Sequence, residues 1–267
     1  MGKAVGSVAR RLRGGAQVAV TVAGFLILWE VAARGFGLPA YILPAPSAVF
    51  VELWNRRVQY SGAALFTLQP MLIGFAAAVI VGIALALIVA FSRGMEKTVY
   101  PLLVFFQIVP KIAVAPLFII WFGFGLIPKV LLVFLLSFFP VVVSAITAFR
   151  SVDPDIMDLA RSTGAGRWRI FLRVQVPHAL PTLFTGIKVA AALSATAAVV
   201  AEFVASDRGL GYLLLEANGN LNTSMAFGSV FVLTALGFAL YAAVELVEQI
   251  LIPWHVSQRG HGDVNPI

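Results

Sequence analysis

Apolar residues run along this chain in long, nearly uninterrupted blocks, a pattern typical of membrane-spanning helices. A helix needs about 20 apolar residues to cross roughly 30 Å of hydrocarbon. Six blocks approach that length, at about 16–33, 71–91, 98–121, 127–149, 183–205 and 228–252. The pattern therefore predicts an all-α integral membrane protein with about six transmembrane helices in a single domain over residues 1–267.

Two of the blocks carry further information. The fifth is rich in alanine at 190–192 and 195–201, which predicts that it packs against other helices rather than facing lipid. The third contains Pro101, Pro110 and Pro116, which interrupt helical hydrogen bonding and predict a broken helix.

Composition and charge support this class and predict an orientation. Apolar residues make up 60% of the chain and charged residues 12%, whereas a soluble domain has about 25% charged residues. The net charge is +7, and 11 of the 19 lysine and arginine residues lie before the first block, between the second and third, or between the fourth and fifth. The positive-inside rule then puts both termini and residues 150–182 in the cytoplasm, so the charge indicates topology rather than nucleic-acid binding. Trp29, Glu30 and the length of the first block favour an uncleaved span over a signal peptide.

The stretches outside the blocks are short. The longest, 34–70 on the outside and 150–182 on the inside, are each too short for an independent core. The outer one becomes amphipathic at 49–54, which predicts a segment lying along the membrane surface.

The inner stretch has the pattern of a helical hairpin. Asp153 and Pro154 are suited to begin a helix, and the helix is expected to end at 163–166, where Gly164 permits a tight turn. A second short helix is expected to end before Pro177. Its apolar and basic residues are Trp168, Ile170, Phe171, Leu172 and Val174, and Arg167, Arg169 and Arg173.

This hairpin resembles the EAA loop of ABC importer permeases. That pattern is Glu-Ala-Ala, three residues, Gly, nine residues, Ile, one residue, Leu-Pro. The matching positions here are Asp158, Leu159, Ala160, Gly164, Val174, Val176 and Pro177. The departures keep charge sign or apolar character, although the bulkier Leu159 alters how closely a partner packs. Segments 41–50, 110–125, 149–181 and 201–214 are similar, in the same order, to the nitrate, sulfonate, taurine, riboflavin and thiamine-precursor branch.

The resemblance implies the type I ABC importer permease fold, with a cytoplasmic coupling hairpin at 153–177. It also implies a homodimer in the bacterial inner membrane, two copies of a cytoplasmic ATP-binding subunit and an extracytoplasmic solute-binding protein. The chain would form the path of a small solute, with riboflavin, a thiamine precursor or another heterocycle favoured over sulfonate, taurine or nitrate.

The sequence lacks the common catalytic and nucleotide-binding motifs, which agrees with a separate ATP-binding subunit. The chain has no G-x-x-x-x-G-K-[ST] phosphate cradle, no H-E-x-x-H and no G-x-S-x-G. We therefore expect no enzyme activity, catalytic residue or cofactor here, and ATP hydrolysis on a separate subunit. The hairpin is expected to dock there through its apolar residues, including Trp168, Ile170 and Phe171, with Asp158 and Arg167 at the rim. The alternative is a hairpin that rests on anionic lipid with Trp168 as an interfacial anchor.

Charged groups within the blocks mark candidate positions on a translocation path, because a charge in hydrocarbon is costly. Four stand out: Glu30, Lys111, Glu202 and Glu245. Lys111 and Glu202 either line the path or pair with each other or with loop backbone. Glu30 and Glu245 lie nearer the ends of their blocks, so no transport role is assigned to them.

Aromatic side chains offer a second set of candidates. Phe105, Phe106 and Gln107 suit stacking on a planar solute, although phenylalanine is also ordinary packing material in membrane helices. His178 is expected to make a helix-end contact, and no metal site is expected. The chain has no cysteine, which excludes disulfides and thiolate ligands.

Two other classes of function remain open from the residues alone. A secondary transporter or channel explains the spans and buried charges without an ATPase. A membrane-embedded enzyme requires a convergent polar cluster, which the sequence does not indicate.

Overall fold

The computed structural model describes residues 2–37, 39–91 and 93–254, and all regular elements in those ranges are helical. The elements are α1 (Gly2–Gly35), α2 (Pro46–Asn55), α3 (Arg57–Phe91), α4 (Arg93–Ile108), a 3-10 turn (Lys111–Val114), α5 (Ala115–Phe122), α6 (Leu126–Arg150), α7 (Pro154–Ser162), α8 (Arg167–Ile170), a π-helical turn (Phe171–Gln175), α9 (Val176–Ala205), α10 (Leu210–Gly219) and α11 (Thr223–Leu251). The predicted all-α class is confirmed.

Four helical stretches in the described residues are long and apolar enough to cross a membrane. They are Arg57–Phe91, Leu126–Arg150, Arg167–Val204 and Thr223–Leu251, and they correspond, to within one residue at the end, to the second, fourth, fifth and sixth apolar blocks. The block at 16–33 lies within α1 and stays a prediction as a span. The outer stretch predicted at 34–70 includes the start of α3, which begins at Arg57 and continues through Pro70.

The third block forms a bent pair of helices. Its two halves, Lys97–Ile108 and Lys111–Phe122, meet at an angle of 81°. Pro110 lies at the break, whereas Pro101 is inside α4 and Pro116 is in the first turn of α5, where a missing N–H costs little. The predicted break is confirmed, and one of the three prolines marks it.

The chain divides into two compact units, which are described separately. The first comprises residues 1–61 and 213–231. Within it Glu30 of α1 accepts hydrogen bonds from Arg34 Nε at 2.6 Å, from the Ser47 N–H at 3.0 Å and from Ser47 Oγ at 2.7 Å. Ser47 is in the first turn of α2, so a carboxylate on α1 caps α2 and fixes where the second helix begins. The expected amphipathic segment at 49–54 is part of α2.

The second unit comprises residues 62–212 and 232–267, and its core lies between α6 and α9. Glycine permits close helix contacts there. A Cβ added to Gly186 on α9 would lie 2.3 Å from Ser144 Cβ, and one added to Gly74 on α3 would lie 2.6 Å from Val133 Cβ. Because these glycines have no side chain, the backbones of neighbouring helices can approach each other closely. In the most apolar window of the Arg167–Val204 stretch 61% of residues are buried, against 11% for α11, as the alanine-rich pattern predicts.

Candidate functional site

The first arm of the predicted hairpin forms as its sequence indicates. Asp153 accepts a hydrogen bond from the Asp155 N–H at 2.8 Å, and Pro154 occupies the first position of α7. The helix of this arm ends at Ser162. After Thr163, Gly164 has φ +74° and its N–H donates to the Arg161 carbonyl at 3.0 Å. A left-handed backbone is the conformation that glycine adopts at little cost. This turn was therefore predictable from local chemistry.

The second arm differs from the prediction. It does not end before Pro177, because α8 continues through the π-helical turn Phe171–Gln175 into α9. The Val176 N–H bonds to the carbonyl of Phe171, five residues earlier, and Pro177 follows in the first turn of α9. The wider turn changes the hydrogen-bonding register next to the proline, so the missing N–H does not end the helix. The hairpin is thus joined to a spanning helix without a break.

The expected apolar docking set is wrong for two of its residues. Ile170 and Phe171 are each only 5% exposed and belong to the core of their own chain. The Phe171 ring lies 4.7 Å from that of Phe91 and 5.8 Å from that of Phe149, measured between centroids. Trp168 stacks on Phe91 at 6.2 Å yet keeps most of its surface free. The base of the hairpin is therefore anchored internally.

The tip of the hairpin is uncovered. None of the residues of α7 is buried, and Leu159 is 68% exposed. Asp158 pairs with Arg161 of its own helix at 2.8 Å, with both side chains largely in solvent. Arg167 is also exposed, whereas Ala160, Val174, Val176 and Pro177 are half-buried. An exposed leucine on an amphipathic helix without an internal partner indicates an interaction surface.

The next candidate residues for the translocation path lie at or near the break between α4 and α5. Lys111 Nζ donates to the Gln107 carbonyl at 2.8 Å and lies 4.6 Å from the centroid of the Phe139 ring. The ammonium therefore sits at the carbonyl end of α4, where a positive charge is favourable. Phe105 and Phe106 are both more than half exposed and contact each other edge to face.

Glu202 lies in a different environment and does not pair with Lys111. It is 1% exposed, and one carboxylate oxygen accepts a hydrogen bond from the Gly211 N–H at 2.6 Å. Its partner is the backbone N–H of the second residue of α10, and a role for Glu202 on the path stays a prediction. His178 makes the expected helix-end contact, since its Nε2 lies 3.2 Å from the carbonyl oxygen of Ser151.

Sequence reasoning missed a buried ion pair. Lys188 on α9 pairs with Glu248 on α11, and the lysine also faces the Tyr241 ring at 6.0 Å. The signal was present, because Lys188 lies inside the fifth apolar block and Glu248 inside the sixth. A charge of each sign at membrane depth predicts a pair.

Comparison with known proteins gives one family and one fold. The family model described as binding-protein-dependent transport system inner membrane component matches residues 78–255. The formylaminopyrimidine transport permease protein of Halalkalibacterium halodurans is 34% identical over 238 residues, which cover 87% of this chain and 93% of that protein. The riboflavin transport system permease protein of Chloroflexus aurantiacus is 37% identical over 242 residues, covering 89% and 90%. A solved structure of the MetNI methionine ABC transporter in an inward-facing conformation aligns with TM-score 0.62 at 15% identity, covering 74% of this chain and 98% of that one.

Proposed function

The chain belongs to the family of binding-protein-dependent transport system inner membrane components, and from this premise we propose that it works as a homodimer driven by two copies of a cytoplasmic ATP-binding subunit. It is the permease component of an ABC importer for a small solute and has the type I importer fold. Two copies of the hairpin would then face two ATP-binding subunits. We propose a cytoplasmic position for both termini and the hairpin, because the positive-inside rule favours that side for their basic residues.

The uncovered side of α7 is the observation that carries the ATPase assignment. Leu159 and Ile156 are exposed on a helix that no other part of the described residues covers, while the base of the hairpin is fixed by Phe171. The sequence has no phosphate cradle of its own. An exposed apolar helix on a well-packed base is suited to bind in a groove of an ATP-hydrolysing partner. Because the hairpin is continuous with α9, movement of that partner would displace α9 directly.

The solute is proposed to be a heterocycle delivered by an extracytoplasmic binding protein. Support comes from the riboflavin and formylaminopyrimidine relatives, both of which have heterocyclic solutes in their names. We place Phe105, Phe106, Gln107 and Lys111 along the path, since exposed rings beside a polar break at membrane depth suit a planar solute.

A pair of proline variants tests the coupling role. Gly164→Pro removes the positive φ of +74° that the hairpin turn requires. Gly166→Pro is the matched control, because Gly166 is in the same turn and has φ −65°, which proline adopts. The purified chain is reconstituted with its ATP-binding subunits and binding protein, and uptake of riboflavin and of a formylaminopyrimidine is measured with and without ATP.

We expect Gly164→Pro to abolish ATP-dependent uptake while the chain remains inserted, and Gly166→Pro to retain it. Equal uptake by the two variants would contradict the coupling role of the hairpin. Uptake that persists without any ATP-binding subunit would instead establish a secondary transporter or channel.

A further inference from the structure

The end of α9 remote from the hairpin holds the beginning of α10. Glu202 receives the Gly211 N–H at 2.6 Å, and Thr67 Oγ1 on α3 receives the Leu210 N–H at 2.9 Å. Both side chains are buried, with exposures of 1% and 0%. The first N–H groups of a helix have no partners within that helix. Two spanning helices therefore supply the acceptors that the start of α10 needs.

Glycine makes room for the carboxylate. Gly209 has φ +107°, and a Cβ added there would lie 2.2 Å from Glu202 Oε1. A Cβ on Gly211 would lie 2.8 Å from Glu202 Cβ and 2.9 Å from the carbonyl oxygen of Val199. The chain on both sides of Leu210 is thus pressed against α9, so the contact leaves no space for sliding.

A second tie holds the turn that joins the two helices. Lys129 Nζ on α6 donates to Ser206 Oγ at 2.6 Å, and the Arg208 N–H donates to the same oxygen at 3.2 Å. The Arg208 guanidinium lies 5.5 Å from the centroid of the Phe66 ring on α3. The turn is thereby fixed from α3 and α6 as well as from α9.

The helix that carries Glu202 begins in the hairpin. Helical structure runs without a break over the 38 residues Arg167–Val204, which at 1.5 Å per residue is about 57 Å. One end of this rod is the second arm of the hairpin, and the other end is the residue that caps α10. Displacement of the hairpin therefore reaches Glu202 through a single helix.

We propose that Glu202 is a positioning residue that makes α10 move with α9 when the ATP-binding subunits close. The carboxylate is hydrogen-bonded to the backbone at the start of α10. A displacement of the helix Arg167–Val204 therefore also displaces α10, at the end of that helix remote from the hairpin. This inference rests on the proposed function, because it takes the hairpin as the point where ATP-driven movement enters.

The test uses the absence of cysteine from the chain. Asn218 on α10 is exposed, and N218C introduces one thiol for a membrane-impermeant maleimide. The labelling rate of this chain is measured in the assembled transporter, first without nucleotide and then trapped with ATP and vanadate. ATP hydrolysis and co-purification of the ATP-binding subunits are measured on the same samples. With Glu202 intact, we expect the two labelling rates to differ by at least about fivefold, the low end of ordinary coupling between sites.

Variants at position 202 separate the effect of the hydrogen bond to the Gly211 N–H from the effect of the carboxylate charge. Glu202→Ala and Glu202→Asp remove or withdraw the oxygen from the Gly211 N–H, so we expect the two rates to become equal while hydrolysis continues. Glu202→Gln retains an oxygen acceptor of the same length and should keep the difference. Ser194→Ala is the matched control, since Ser194 is equally buried on α9 and its hydroxyl donates to the Ala191 carbonyl of its own helix.

Each remaining outcome has a distinct meaning. A labelling difference that survives in both Glu202→Ala and Glu202→Asp overturns the role of Glu202, and so does equal labelling in the N218C chain with Glu202 intact while it hydrolyses ATP. If that chain neither binds the ATP-binding subunits nor supports hydrolysis, the proposed function itself fails. Should Glu202→Ala not assemble, Glu202→Asp provides the decision, because it keeps the charge and shortens the side chain by one methylene.

Discussion

The two ends of the long helix from Arg167 to Val204 are joined to neighbouring helices by the same short pattern in opposite surroundings. Gly164-Ala165-Gly166 and Gly209-Leu210-Gly211 each begin with a glycine at positive φ, +74° and +107°. A Cβ on either hairpin glycine would meet nothing within 4 Å, whereas a Cβ on Gly209 or Gly211 would run into Glu202. One turn is surrounded by space and the other by its own chain.

The difference agrees with the proposed docking of a partner at the hairpin. At Gly211 the chain itself supplies the hydrogen-bond acceptor, the close packing and the bend. At the hairpin the base is packed by Phe171, yet Leu159 remains exposed. An exposed apolar side chain next to a well-packed base is typical of a protein–protein binding surface.

The largest expected effect on stability comes from the ion pair in the middle of the long helix, and it is a reference for the smaller effects expected at the two ends. Lys188→Ala leaves Glu248 buried and unpaired, which should cost about 3–5 kcal/mol of stability. Thermal melting of the detergent-solubilised chain measures it. Lys188→Met combined with Glu248→Leu should recover much of the loss, while Glu245→Gln on the same helix should change little. A single variant that melts like the unchanged chain would show that this pair does not fix α9 to α11.

Leu159→Glu should break the hairpin end without touching the fold. Burying a leucine side chain contributes about 1.5–3 kcal/mol, so binding of the ATP-binding subunit should weaken by roughly 10- to 100-fold. The melting temperature of the chain alone should stay the same, because Leu159 makes no buried contact. Titration of the ATP-binding subunit against the chain measures the change, and Asp155→Glu at an exposed position of the same helix is the control. Unchanged binding would exclude α7 as the docking surface.

Alanine at the second glycine of each turn sharpens the comparison directly. Gly211→Ala should lower stability by about 1–3 kcal/mol, because its Cβ would be only 2.8 Å from Glu202 Cβ. Gly166→Ala has φ −65° and open space, so it should be neutral or stabilise by about 0.4–1 kcal/mol. Equal melting temperatures for the two variants would contradict the contrast between the turns.

Lys111→Met should lower stability only modestly. It removes the contact with Phe139 and the bond to the Gln107 carbonyl, together about 1–2.5 kcal/mol. The expected signature is a small drop in melting temperature with a larger change in the apparent KM for uptake. An unchanged KM would remove Lys111 from the path and leave it as the cap of α4.

The residues divide clearly into those that sequence could place and those that it could not. Asp153, Pro154 and Gly164 act on their own backbone, so the first arm of the hairpin was predictable. Phe171 was misassigned to docking because its neighbours, Phe91 and Phe149, are distant in sequence. Glu202 was recognised as unusual, but its partner is an N–H group, which no residue type identifies.

The π-helical turn at Phe171–Gln175 has a consequence for protein engineering. Such a turn inserts about one residue into an α-helix, and one residue corresponds to roughly 100° of rotation. A helical wheel drawn continuously from Arg167 through α9 therefore assigns the hairpin side chains to the wrong face. Chimaeras that exchange coupling loops between related permeases need their junction on one side of this insertion, with the whole turn taken from a single parent.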